Sequence, residues 1–439
     1  MLFRSYTPEM REIISNGVSV DKLLNKQVDT SKLIGTTLTP NGQFFRTDIQ
    51  GFLPKMLEEM YVDRSKFKKM MLAAKQEYEN ETNEKQKYEL EKKIARYNNL
   101  QLAKKVSLNS AYGALGSQYF RFYDLRMALG VTTAGQLSIR WIEGKINQFM
   151  NKILETENED YVIASDTDSI YLRLGEVVNK FGFNRLEDTT KTIGIMDKMC
   201  EQKIQPFIDK SYQELAEYVK AYAQKMRMKR EVLADKAIWT AKKRYILNVY
   251  NSEGVQYAEP QMKIQGLEAI KASTPAACRE KIKNALNIIL KGSESELQDY
   301  IADFKKQFKT MNVEDISFPR SVNGLTTYSD SKMIWSKGTP IHVRGALVYN
   351  HMIDQLNLQK TAQKIQEGEK IKFIYLKEPN IFKTDVISFV NRMPKEFNVE
   401  KFVDYELQFE KSFVDPLIII LDKIGWQAEK ISSLEDFFG

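Results

Sequence analysis

The sequence predicts an α+β chain built from more than one domain, and three observations carry that expectation. A charged stretch free of glycine and proline follows Pro54 and reaches Tyr112. Alternating runs rich in Tyr, Val and Ile flank an aspartate-bearing turn between residues 161 and 174. Beyond Ser273-Thr274-Pro275 the chain returns to amphipathic helix, then to shorter mixed segments. At 439 residues the length suits two to four domains and a large buried core.

In chain order, residues 1–53 are mixed, and Pro40-Asn41-Gly42 marks a tight turn. The long uninterrupted stretch is broken near its middle by Glu79-Asn80-Glu81-Thr82-Asn83, which predicts two antiparallel helices joined by a short turn. Residues 113–268 mix strand and helix. Tyr161–Ser165 and Ile170–Leu174 read as strands joined by Asp166-Thr167-Asp168-Ser169. Ala241–Tyr250 reads as one further strand, entered through polar and charged positions. No internal repeat or low-complexity tract interrupts the chain.

Composition narrows the class. At 43% hydrophobic and 28% charged residues, the chain is neither disordered nor fibrous in character. The clearest apolar run, Pro416–Leu421, is too short to span a bilayer, and the first residues lack a secretory pattern. A cytoplasmic protein with no membrane partner is expected. Two cysteines and two histidines argue against a disulfide framework or a zinc centre. The net charge of +7 is concentrated: Lys225–Tyr245 holds eight basic and two acidic residues, and residues 54–112 hold thirteen and nine. Such clustering suits a phosphate-bearing partner.

Two constellations carry chemistry. Asp166 and Asp168 stand two apart in a turn, and side chains two apart on extended backbone share a side. An isolated Asp-x-Asp is more often a simple turn. Strands on both sides make a firmer mount, of the kind a divalent-metal site needs. On the helical stretch, Leu90, Ile94, Gln101, Lys105, Asn109 and Tyr112 share one face, as do Met60, Arg64, Phe67 and Met71, with Lys68 one turn beyond Arg64. Lys and Arg on a helix are usually solvated. On a face that otherwise packs, they suit an anionic ligand such as a triphosphate.

Together these segments resemble the B-family DNA polymerases. Lys105-Val106-Ser107-Leu108-Asn109-Ser110-Ala111-Tyr112-Gly113 resembles motif B, Asp166-Thr167-Asp168-Ser169 motif C, and Lys242-Lys243-Arg244-Tyr245 the element that touches the primer-template duplex. Phe120–Arg126, His342-Val343-Arg344-Gly345 and Ser433–Gly439 are similar to the T-even-type bacteriophage branch. The resemblance implies a right-hand architecture: an N-terminal palm segment at 1–53, a two-helix fingers hairpin at 54–116, an antiparallel palm sheet with motif C at 117–268, a mainly helical thumb at 269–432 and a clamp-binding tail at 433–439. It implies that Arg64, Lys68, Lys105, Asn109 and Tyr112 bind the incoming dNTP. Asp166 and Asp168 would serve two Mg²⁺ ions, with Glu231 as a possible accessory carboxylate. Gly113, Lys242, Lys243, Arg244, Tyr245, Arg344 and Gly345 would contact DNA, and Leu434, Phe437 and Phe438 a sliding clamp.

Motif A, Asp-x2-Ser-Leu-Tyr-Pro-Ser, and the exonuclease Asp-x-Glu signatures have no counterpart in these residues. The resemblance therefore implies a split polymerase of an infected bacterial cell, weak or inactive until an N-terminal subunit supplies motif A and the exonuclease. Residues 1–53, beside the missing strands, are expected to be poorly ordered alone. The alternative is a non-catalytic primer-template-binding or clamp-interacting accessory protein. A helical scaffold would explain residues 54–112 only.

Overall fold

The computed structural model describes residues 6–183 and 188–430. Helices α1 (Pro8–Ser15) and α2 (Val20–Leu24) begin where the Thr7 and Ser19 hydroxyls accept the Met10 and Lys22 backbone N–H groups. Strands β1 (Thr36–Leu38) and β2 (Phe44–Arg46) pair antiparallel around the Pro40–Gly42 turn. Their inward residues, Leu38 and Phe44, join Met10, Ile13 and Leu23 in a buried core. Residues before 54 therefore contribute directly to this core.

Helices α3 (Phe52–Asn80) and α4 (Glu84–Leu115) form the anticipated hairpin. Asn83 starts α4 by accepting the Lys85 and Gln86 N–H groups. At about 1.5 Å rise per residue each helix is more than 40 Å long. Their buried side chains are Met71, Ala74, Leu90 and Leu115, so the arm is long and thinly packed. Helix α5 (Leu125–Leu154), capped by Asp124, buries Leu137, Trp141, Ile142, Ile146 and Met150 at helical spacing and forms the spine of the first core.

Strands β3 (Val162–Asp166) and β4 (Ser169–Leu172) pair antiparallel. Next come α6 (Gly175–Lys180), α7 (Thr189–Met199), a π-helical turn at Cys200–Ile204 and α8 (Gln205–Tyr218). Strands β5 (Val232–Ala241), β6 (Arg244–Ser252) and β7 (Val255–Gln265) form a sheet in that order. The chain divides into two compact units, Met1–Asp235 with Val249–Gln261, and Lys236–Asn248 with Met262–Gly439. Each of these three strands contributes residues to both.

The second unit continues through α9 (Ala276–Lys291), α10 (Glu294–Phe308), α11 (Val313–Ile316), β8 (Phe318–Ser321), α12 (Leu325–Tyr328), β9 (Ser329–Asp330) and β10 (Ile334–Trp335). It ends with α13 (Ile341–Gln355), β11 (Lys370–Tyr375), β12 (Val386–Phe389), α14 (Tyr405–Phe409) and α15 (Asp415–Ile424). Beside its helices stands an antiparallel sheet of order β12-β11-β8, which the expectation of a mainly helical segment did not include. Phe304, Phe308, Phe409 and Phe413 interlock in its core, with Phe304 and Phe413 ring centroids 4.7 Å apart.

Candidate active site and nucleic-acid interface

The aspartate turn is a two-residue hairpin loop. Asp166 pairs with Ser169 across β3 and β4, leaving Thr167 and Asp168 at the tip. Thr167 is left-handed, with φ 58°. Its hydroxyl donates to Asp166 Oδ1 at 3.0 Å, and the Ser169 hydroxyl donates to the Asp166 carbonyl at 3.1 Å. The extended-backbone argument for these carboxylates is therefore replaced: a turn, not a straight strand, lies between them. Asp166 is half-buried and Asp168 exposed. Burial, reinforced by the charge of Asp168, pushes the Tyr212 phenol up to about 12 and keeps it neutral.

Carboxylate oxygens suit a hard divalent cation such as Mg²⁺, so the donors fit in kind. Among the described residues no group of three or more His, Cys, Asp or Glu side chains is arranged to hold a metal. Glu231 lies exposed just before β5, and its carbonyl accepts the Glu253 N–H at 2.6 Å.

On α3 the stripe Met60, Arg64, Phe67 and Met71 is partly or wholly buried, as expected. The Arg64 Nε is buried with no hydrogen-bond partner among the described residues. Lys68 is ion-paired with Glu253. On α4 the shielded stripe passes through Leu90, Ile94, Gln101, Lys104 and Leu108, with Lys104 bonded to Asp63 at 2.7 Å. Lys105, Asn109, Tyr112 and Gly113 lie exposed beside it. The packing face thus shifts by one residue toward the hairpin base, correcting the expectation that Lys105 and Asn109 occupy it. Glu253 was invisible to sequence reasoning. The run Asn251-Ser252-Glu253-Gly254 signals a turn, but nothing local points to a partner 185 residues away.

The basic segment differs more from its expectation. Ala241 ends β5, Lys242 and Lys243 form a two-residue turn with Lys243 at φ 62°, and Arg244 begins β6. The single strand expected from Ala241 is therefore the end of one strand, a turn and the start of another. Both lysines are exposed. Arg244 pairs with Glu268 at 2.7 Å, and Tyr245 is buried with its ring 5.8 Å from that of Trp239. Behind the turn, Gly266 has φ +66°, and a Cβ there would stand 2.2 Å from the Lys243 carbonyl oxygen.

Arg344 pairs with Asp385 at 2.6 Å. Gly345 is buried in α13, where a Cβ would meet Ser388 Oγ at 2.6 Å, so this glycine serves close packing on β12. Leu434, Phe437 and Phe438 lie outside the described residues. The segment before them is strapped to α10, with Gln298 donating to the Gln427 carbonyl at 3.1 Å and Lys430 paired to Asp299 at 2.7 Å. No described helix is long and apolar enough to cross a membrane.

Comparison with known proteins places these features in context. A family model described as DNA polymerase family B matches residues 13–424. The DNA-directed DNA polymerase of Enterobacteria phage T4 is 32% identical over 91% of this chain and 50% of its own length. That of Escherichia phage RB69 is 32% identical over 91% of this chain and 49% of its own. The DNA polymerase delta catalytic subunit of Oryza sativa subsp. japonica is 22% identical over 77% of this chain and 26% of its own. The chain thus spans about half the length of the phage relatives.

Proposed function

The chain belongs to DNA polymerase family B, in its T4-like phage branch, and from that premise we propose that it carries part of the catalytic apparatus of a template-directed DNA polymerase. It would transfer dNMP from a dNTP to a primer 3′-hydroxyl in the cytoplasm of an infected bacterium. Residues 54–116 serve as fingers, 1–53 and 117–268 as palm, 269–432 as thumb and 433–439 as a sliding-clamp tail through Leu434, Phe437 and Phe438.

Asp166 and Asp168 would hold two Mg²⁺ ions together with at least one carboxylate from a second polypeptide segment that carries motif A and the exonuclease. Metal so held neutralises phosphate charge and acidifies the attacking hydroxyl. The rest is done by this chain. The Thr167 hydroxyl orients the Asp166 carboxylate through its 3.0 Å bond. Arg64, Lys68 and Lys105 give the triphosphate charge-assisted hydrogen bonds, and Asn109 a neutral donor. Tyr112 and Gly113, exposed in the last turns of α4, face the nascent base pair. Lys242 and Lys243 grip duplex phosphates, Arg244 and Tyr245 support that turn from behind, and Arg344 adds a thumb contact. Glu231 acts as an accessory carboxylate.

The observation that carries this reading is the paired-aspartate hairpin, standing in chain order between the cationic helical arm and the basic turn. Primer extension tests it. The 439-residue chain alone should extend poorly, a polypeptide carrying motif A should restore extension, and Asp168→Ala should abolish the restored activity. Robust extension by the chain alone overturns the need for a partner. Undiminished extension by Asp168→Ala overturns the catalytic assignment.

A further inference from the structure

We infer that Glu253 is a positioning residue of the nucleotide site, a built-in counter-anion that holds the Lys68 ammonium until a triphosphate takes it over. The inference rests on the reading of Lys68 as a triphosphate ligand. Lys68 and Glu253 are ion-paired with side chains 35% and 24% exposed, shielded enough for the charges to interact more strongly than on open surface.

The turn that carries Glu253 is fixed in place. Asn251 is fully buried, and its Oδ1 accepts the Gly254 N–H at 3.0 Å and a guanidinium N–H of Arg230. Its Nδ2 donates to Asp197 at 3.2 Å, and Arg230 is itself ion-paired with Asp197. The Glu253 N–H donates to the Glu231 carbonyl at 2.6 Å. A second link reaches α3 two turns beyond Lys68, where Gln76 Oε1 accepts the Gln256 N–H at 3.0 Å. The carboxylate is thus presented from a rigid mount to a thinly packed helix.

One ammonium cannot serve both anions at full strength, because a polyphosphate brought to Lys68 meets the negative charge of Glu253. Binding therefore costs the Lys68–Glu253 pair, and nucleotide affinity is linked to the docking of α3 on this turn. Arg64, one helical turn away, has no hydrogen-bond partner at its buried Nε among the described residues.

The test titrates tripolyphosphate into the 439-residue chain and its variants by calorimetry. Glu253→Gln, and Glu253→Ala as a second variant, should tighten binding about fivefold, the factor matching a partly shielded ion pair. Lys68→Ala should weaken binding, and adding Glu253→Gln to Lys68→Ala should then change nothing. If Lys68→Ala weakens binding while both Glu253 variants leave it unaltered or weaker, the counter-anion role is overturned and the reading of Lys68 stands. If Glu253→Gln still tightens binding in the Lys68→Ala background, Glu253 acts by general repulsion and the proposal is overturned. If Lys68→Ala binds like wild type, the underlying reading of Lys68 fails.

Discussion

Two turns of this molecule share a plan and carry opposite charge. Thr167-Asp168 and Lys242-Lys243 are both two-residue connections between neighbouring strands, and each contains a non-glycine residue in the left-handed region, at φ 58° and 62°. They differ in what stands behind them. The aspartate turn is braced from within by the Thr167 and Ser169 hydroxyls on Asp166. The lysine turn is braced from outside, by the close approach of Gly266 and by the Arg244–Glu268 pair. A carboxylate can accept hydrogen bonds from hydroxyls of its own loop, as Asp166 does from Thr167, whereas an ammonium group can only donate.

The comparison breaks first at Gly266. Gly266→Ala would drive a methyl group into the Lys243 carbonyl at a left-handed position, and we expect a loss of about 2–3 kcal/mol in urea unfolding of the second unit. An unchanged midpoint would mean that the lysine turn does not depend on this contact. Next in size is the charge itself. Changing Lys242 and Lys243 together to Ala should weaken duplex binding about tenfold at moderate salt and reduce the salt slope by about two. Equal weakening at every salt concentration would remove them from the phosphate contacts. The smallest effect sits at the aspartate turn. Asn accepts left-handed backbone more readily than a β-branched residue, so Thr167→Asn should raise thermal stability by less than about 1 kcal/mol. A fall would show that the Thr167–Asp166 hydrogen bond outweighs the backbone strain.

The parts legible in the sequence are those that local rules decide. The helical arm was visible because no glycine or proline lies between Pro54 and Gly113, and the polar run Glu79-Asn80-Glu81-Thr82-Asn83 breaks that stretch near its middle. The aspartate turn was visible because residues with high strand propensity flank it. The lysine turn was not: lysine carries no signal for left-handed backbone, and the glycine that makes room for it lies at 266, beyond both strands of the hairpin. Likewise, one residue of helical phase separates Lys104, which crosses to Asp63, from Lys105, which stays exposed. A 3.6-residue period drawn over a 32-residue helix cannot fix that phase from one end. The role of Gly345 depends on Ser388, and that of Lys68 on Glu253, both tertiary neighbours without a local signature.

The sheet of β5, β6 and β7 constrains how this chain can be divided. Ile246 on β6 belongs to the core of the second unit, while Tyr250, four residues along the same strand, packs on the core of the first. A cut at Gln261 would strip the second unit of Ile238 and Ile246 and sever β7 within its own length. The polypeptide crosses between the units three times within residues 235–262. Both units draw on the same three strands, so an excised second unit would have to carry the whole of 232–265 with it.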